Sequence, residues 1–167
     1  APEYPEILLA IWWAGLAAVP VNAKLHPREA AYILENAGAS VVFVTPDWVG
    51  GLAEAAATLP RAPDVVEAGS VGYHALFSEP VPVEPVADDA LAWLFYTSGT
   101  TGQPKGAMLS HANLFASAAA FLAQTDLRPD DDWLAYLPMA WVGDAVYTLV
   151  LQMAVGFACN CPESPET

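Results

Sequence analysis

Basic side chains are nearly absent from this chain. Five Lys and Arg stand against 19 Asp and Glu in 167 residues, a net charge of −14. Nucleic acids and anionic membrane surfaces are bound through basic patches, so this balance argues against both as partners. Charge of either sign is scarce, at 14% against about 25% in an ordinary domain, while hydrophobic residues reach 55%. A disordered chain needs the reverse balance. There is no glycine period for a collagen helix and too little Lys and Glu for a coiled coil. Long apolar runs are missing too: the longest, Ile7 to Val19, falls short of the ~20 residues that span a bilayer. Cysteine is limited to Cys159 and Cys161. A C-x-C pair with no histidine nearby cannot build a structural zinc site, so no metal centre is expected, and both are expected to be reduced packing residues of a cytoplasmic protein. The chain opens on Ala1 rather than Met, without a basic n-region or cleavage-site pattern. With so little charge to cover a surface, we expect a slice of a larger domain.

Apolar spacing organises what is present. Pro5 to Ala18 carries Ile7, Leu8, Ile11 and Leu16 at helical intervals, with Pro5 in a first turn and Gly15 as an interior cost. Val19-Pro20-Val21 predicts a short strand, irregular at Pro20. A helix from about Pro27 to Asn36 closes at Gly38, which can take the left-handed cap conformation. Val41 to Thr45 is a β-branched run of the kind buried on both faces. A third helix follows from Pro46 to Thr58, with Asp47 in its first turn. This alternation predicts an α/β fold with a largely parallel sheet flanked by helices. Residues 1–59 make up that first α/β segment. Residues 60–88 form a proline-rich connection with one short strand, Asp64–Glu67. Residues 89–167 resume the pattern: strand Ala90–Thr97, a loop, strand Ala107–Leu109 and helix His111–Gln124. A turn at Leu127–Asp131 then leads to strand Trp133–Leu137, helix Val142–Val155 and strand Phe157–Asn160.

The loop stands apart. A hydrophobic strand runs into Thr97, Ser98, Thr100 and Thr101, interleaved with Gly99, Gly102 and Gly106. Glycines let backbone N–H groups turn toward a ligand without Cβ obstruction, and hydroxyls add donors. Lys105 adds a full charge, completing an anion cradle of the kind that holds polyphosphate. Between Arg61 and Arg128 it is the only Lys or Arg, while seven acidic residues share that span. A Walker A loop is a poor match, because Lys105 precedes Gly106 and no Ser or Thr follows the lysine.

The string Tyr96–Gly106, YTSGTTGQPKG, resembles the phosphate-binding signature of the adenylate-forming superfamily: acyl-CoA synthetases, nonribosomal peptide adenylation domains and luciferases. Glu3–Pro20 with Val21-Asn22 and Leu25-His-Pro-Arg-Glu29 is similar to that family's early helix and its continuation. Tyr32–Ala39 with the strand after it, Leu109-Ser-His-Ala-Asn-Leu114 and Tyr136-Leu-Pro-Met-Ala-Trp141 carry the likeness across one continuous stretch of the family's large N-terminal domain. Leu137–Asp144 with Cys161–Ser164 looks most like bacterial long-chain fatty acyl-CoA synthetases.

The resemblance implies a ligase that activates a carboxylate with ATP and Mg²⁺ as an acyl-adenylate, then passes the acyl group to a thiol, commonly coenzyme A. Carried over by position, Thr97, Ser98, Thr100, Thr101 and Lys105 would hold the β- and γ-phosphates, and Gly99, Gly102 and Gly106 would allow that approach. Met139 and Trp141 would line the substrate pocket, Trp141 as a wall or gate for the acyl chain, or else as core. The chain stops before the family's adenine-binding and Thr-Glu motifs, its ribose-binding Asp and its small C-terminal domain with a catalytic Lys. It is therefore expected to need the rest of its own domain and the C-terminal domain, and to be inactive alone. A cytoplasmic enzyme is implied, with peripheral membrane association open to the full-length protein. An aryl or amino acid in place of the fatty acid, a P-loop NTPase and a non-catalytic remnant that binds phosphate stay open as rivals. Of the remaining residues, Asp130–Asp132 is expected to be a turn, Trp12-Trp13 core or interface, and His26 and His74 surface. His111 is expected to start a helix rather than meet phosphate. Asp144 is left between helix-end charge and acyl-pocket polarity.

Overall fold

Local signals start each element. The computed structural model describes residues 2–97 and 103–162. Helix α1 (Glu3–Trp13) takes Pro5 within its first turn and buries Leu8. It ends earlier than expected because Gly15 is no interior residue: it turns left-handed, at φ 69°. Its N–H donates to the Trp12 carbonyl and the Leu16 N–H to the Ile11 carbonyl, both at 3.0 Å. That pair of bonds is the Schellman closure a left-handed glycine allows. The strand expected at 19–21 shrinks to a single bridge between Ala18 and Trp93. In a parallel ladder the next bonding residue would be Pro20, which has no N–H.

Helix α2 (Pro27–Ala37) opens on reciprocal bonds. His26 Nδ1 accepts from the Arg28 N–H at 3.2 Å, and Glu29 Oε2 accepts from the His26 N–H at 2.9 Å. Gly38 closes the helix left-handed, as expected. Strand β1 (Val41–Val44), helix α3 (Pro46–Ala56) and strand β2 (Asp64–Glu67) then form a parallel crossover unit, with Val41 opposite Asp64 and Val44 opposite Glu67. Val42 and Val44 pack with Leu34 of α2 and Leu52 of α3. The expected two-faced burial of β1 is incomplete: Val41 is exposed, and α2 and α3 cover one face of this two-stranded sheet. On its other face Phe43 meets Tyr73 edge-on at 6.2 Å, in α4 (Val71–His74). This short helix in the proline-rich connection was not expected. Ser70 caps it, Oγ accepting from the Tyr73 N–H at 3.1 Å.

A second core gathers the rest. Strands β3 (Leu91–Thr97) and β4 (Lys105–Ser110) form an antiparallel hairpin that runs into α5 (His111–Leu122). Strand β5 (Asp132–Leu134) pairs in parallel with β6 (Ala158–Asn160). Between them α6 (Val142–Asp144), a π-helical segment Ala145–Val150 and α7 (Leu151–Val155) follow one another without a break. Ala92, Trp93 and Phe95 of β3 lie against Leu8, Leu114, Leu149, Val150, Leu151 and Phe157. Among the described residues two of the three strand pairs are parallel, so the α/β expectation holds. Asp131 and Asp132 serve a turn and a strand end, accepting from the Arg128 N–H at 2.7 Å and from Asn160 Nδ2 at 3.1 Å. Cys159 is half-buried and Cys161 exposed, both free, so only the first can be a packing residue. Among the described residues no helix is long and apolar enough to cross a membrane.

Candidate functional site

The hairpin is asymmetric by composition. Leu-Ala-Trp-Leu-Phe-Tyr gives β3 its buried face, whereas most of β4 is exposed, Met108 at 70%. The register sets Leu94 opposite Met108, Tyr96 opposite Gly106 and Thr97 opposite Lys105. Lys105 and Gly106 are thus strand residues rather than loop residues, since pairing persists to the last rung. Side chains directly opposed across an antiparallel pair have Cβ atoms about 4.5–5.5 Å apart. The Thr97 hydroxyl and the Lys105 ammonium therefore flank the loop end of the hairpin, both on exposed residues. Ser98, Gly99, Thr100, Thr101 and Gly102 lie outside the described residues. Among the described residues no carboxylate pairs with Lys105; the one ion pair joins Arg128 to Asp126. This strand end can receive an anion, by charge and by exposure.

Gly106 has a local task as well. A Cβ built on it would lie 3.0 Å from Leu94 Cδ1 and 3.2 Å from Tyr96 Cζ. Its bare backbone lets those two side chains lie across β4. The far end of the hairpin is held by α5: Ser110 Oγ accepts from the Asn113 N–H at 3.2 Å, and Asn113 Oδ1 accepts from the Ser110 N–H at 3.0 Å. His111 sits there, edge-on to Trp12 at 6.2 Å. At about 3.3 Å per strand residue it is roughly 20 Å along β4 from Lys105, which removes it from the anion end.

The Leu137–Trp141 segment is a separate turn. The Trp141 N–H donates to the Pro138 carbonyl at 2.8 Å, and Trp141 is 55% exposed, outside the core formed by the described residues. Met139 is half-buried, and its carbonyl accepts from the Tyr4 hydroxyl at 2.6 Å. Burial pushes that phenol up, and the nearby Asp144 carboxylate pushes it further. Asp144 itself is only 3% exposed, so it does not present a polar wall to an open pocket. Burial raises its carboxyl, opposed by the bond it accepts from Thr148 Oγ1 at 2.9 Å. Nothing in the local sequence of Tyr4 points to this contact.

The whole chain, residues 1–167, matches the AMP-binding enzyme family. It belongs to that family. This AMP-binding enzyme chain is 41% identical over 139 residues to a feruloyl-CoA synthase of Amycolatopsis sp, covering 83% of this chain and 27% of that protein. It is 29% identical over 182 residues to the peroxisomal long chain acyl-CoA synthetase 7 of Arabidopsis thaliana, covering 93% and 26%. Among solved structures, ATP-bound MatB from Rhodopseudomonas palustris superposes with a TM-score of 0.83 at 28% identity, over 95% of this chain and 32% of that one. The AMP-binding enzyme chain thus spans about a quarter to a third of the length of these relatives.

Proposed function

We propose that this chain supplies the ATP phosphate-binding loop of an acid–CoA ligase. The observation that carries the proposal is the opposed pair Thr97 and Lys105 at the loop end of the hairpin, joined by the Ser-Gly-Thr-Thr-Gly-Gln-Pro string and holding the lone cation between Arg61 and Arg128. In this reading a carboxylate oxygen attacks the α-phosphorus of ATP and pyrophosphate leaves. Coenzyme A then displaces AMP from the acyl-adenylate. Thr97, Ser98, Thr100, Thr101 and Lys105 hold the β- and γ-phosphates, where a fixed ammonium offsets the charge that gathers on the leaving pyrophosphate. Lys105 is the residue we assign to catalysis in this chain. Gly99 and Gly102 leave the loop without Cβ atoms at their positions, and Gly106 does the same at the start of β4 beside it. Mg²⁺ would come with the nucleotide, held largely by its phosphates.

The acid is the finer question. A long-chain fatty acid is the expectation from the Leu137–Asp144 motif, with Trp141 and Met139 toward the acyl group. The higher identity to a feruloyl-CoA synthase than to a long-chain synthetase favours a second reading, an aryl acid stacking on Trp141. We also propose that the rest of the N-terminal domain and a C-terminal domain complete the site, that these 167 residues are inactive alone, and that the enzyme is cytoplasmic. The test is ATP–pyrophosphate exchange by the full-length protein with palmitate, with ferulate and with neither. Exchange that requires an acid supports the ligase, and the preferred acid decides between the two readings. Hydrolysis without any acid would sink the ligase in favour of an NTPase.

A further inference from the structure

The hairpin that carries the proposed phosphate loop is tied to a helix far away in sequence. The Tyr96 hydroxyl, one residue before Thr97, donates to Asn36 Oδ1 at 2.7 Å, across 60 residues of chain. Asn36 lies in the last turn of α2, with Tyr32 one turn earlier on the same face. Burial, with Tyr32 beside it, pushes the Tyr96 phenol up, so it stays a neutral donor. Three features converge on this one contact. Tyr96 stands opposite Gly106, and Gly106 has no Cβ in the path of the tyrosine ring. Helix α2 is closed at both ends, by the His26 cap and by Gly38, so the acceptor sits on a fixed element. The bond also crosses between the two cores, β3 belonging to one and Leu34 of α2 to the other.

We propose that Tyr96 and Asn36 are positioning residues that hold the loop end of the hairpin, and with it Thr97 and Lys105, at a fixed place relative to α2 for nucleotide phosphate. The idea rests on the ligase reading, and its test separates the two. Tyr96→Phe removes one hydroxyl and leaves the ring over Gly106. In the full-length protein it should raise the KM for ATP about three- to tenfold, leaving the KM for the acid and the melting temperature unchanged. Asn36→Ala should match it, Asn36→Asp, which keeps an acceptor, should restore most of the affinity, and the double variant should be no worse than either single. Backbone hydrogen exchange at Thr97 and Lys105, measured without nucleotide, should quicken in Tyr96→Phe whatever the reaction proves to be. Quickened exchange with no ATP-dependent activity in the wild type would fault the ligase reading alone. Unchanged exchange, an unchanged KM for ATP, or additive losses in the double variant would overturn the positioning role.

Discussion

Strands β3 and β4 share one hydrogen-bonded ladder, yet they do opposite work. Ala92, Trp93 and Phe95 are buried in β3, whereas Lys105, Gly106, Ala107 and Met108 of β4 are exposed. The buried strand fixes where the hairpin stands, and the exposed one is free to carry a cation that a core could not accept unpaired. Stability and chemistry are thus divided between two strands a few ångströms apart. That division predicts which substitutions harm folding and which harm only activity.

The largest effect should come from the buried strand. Trp93 is fully buried among Trp12, Phe95 and the helices, so Trp93→Ala should cost about 3–5 kcal/mol of stability, read as a shift in denaturant midpoint. Its indole N–H has no hydrogen-bond partner among the described residues. Trp93→Phe should therefore cost much less, since removing an unsatisfied donor offsets part of the lost contact. Next, Lys105→Ala in the full-length protein should slow adenylation about a hundredfold, near the loss seen when one donor to developing charge is removed, with an unchanged melting temperature. A loss of stability comparable to that of Trp93→Ala would break the division of labour, and an unchanged rate would remove the phosphate role.

Gly106→Ala should blur the comparison, because the new methyl meets Leu94 and Tyr96 rather than solvent. We expect about 1 kcal/mol of destabilisation, at the low end for overpacking since Leu94 Cδ1 is a movable chain end, together with weaker ATP binding. The smallest effect lies away from the hairpin, at Asp144. Burial raises its carboxyl, so folding favours the neutral form. The stability linked to that shift is present below the ordinary carboxylate range and is lost as pH rises through the raised value. Asp144→Asn should escape that loss. Thermal melts should show the variant gaining on the wild type as pH rises above the ordinary carboxylate range, and a gap that does not widen would contradict the shift.

Sequence and structure divide along similar lines. The YTSGTTGQPKG string, the crossover β1–α3–β2 and the cap at Gly38 are legible because each depends on residues near one another in the chain. Gly15 was misread because a glycine after an apolar run fits either a helix interior or a closing turn, and the Schellman bonds decide between them. The strand limits of β4 escaped notice because glycine and lysine are weak strand formers, whereas pairing with Tyr96 and Thr97 extends the ladder through them.

By itself the sequence determined the family, the α/β alternation and the string proposed to hold phosphate, all of which rest on residue type and short spacing. Only the tertiary structure decided that Thr97 and Lys105 face each other, that His111 stands at the wrong end, that Asp144 is buried, and that Tyr96 reaches Asn36 and Tyr4 reaches Met139. Those last contacts join residues 60 and 135 positions apart. Their partners are chosen by how packed elements meet in space, and no local pattern of side chains records that choice.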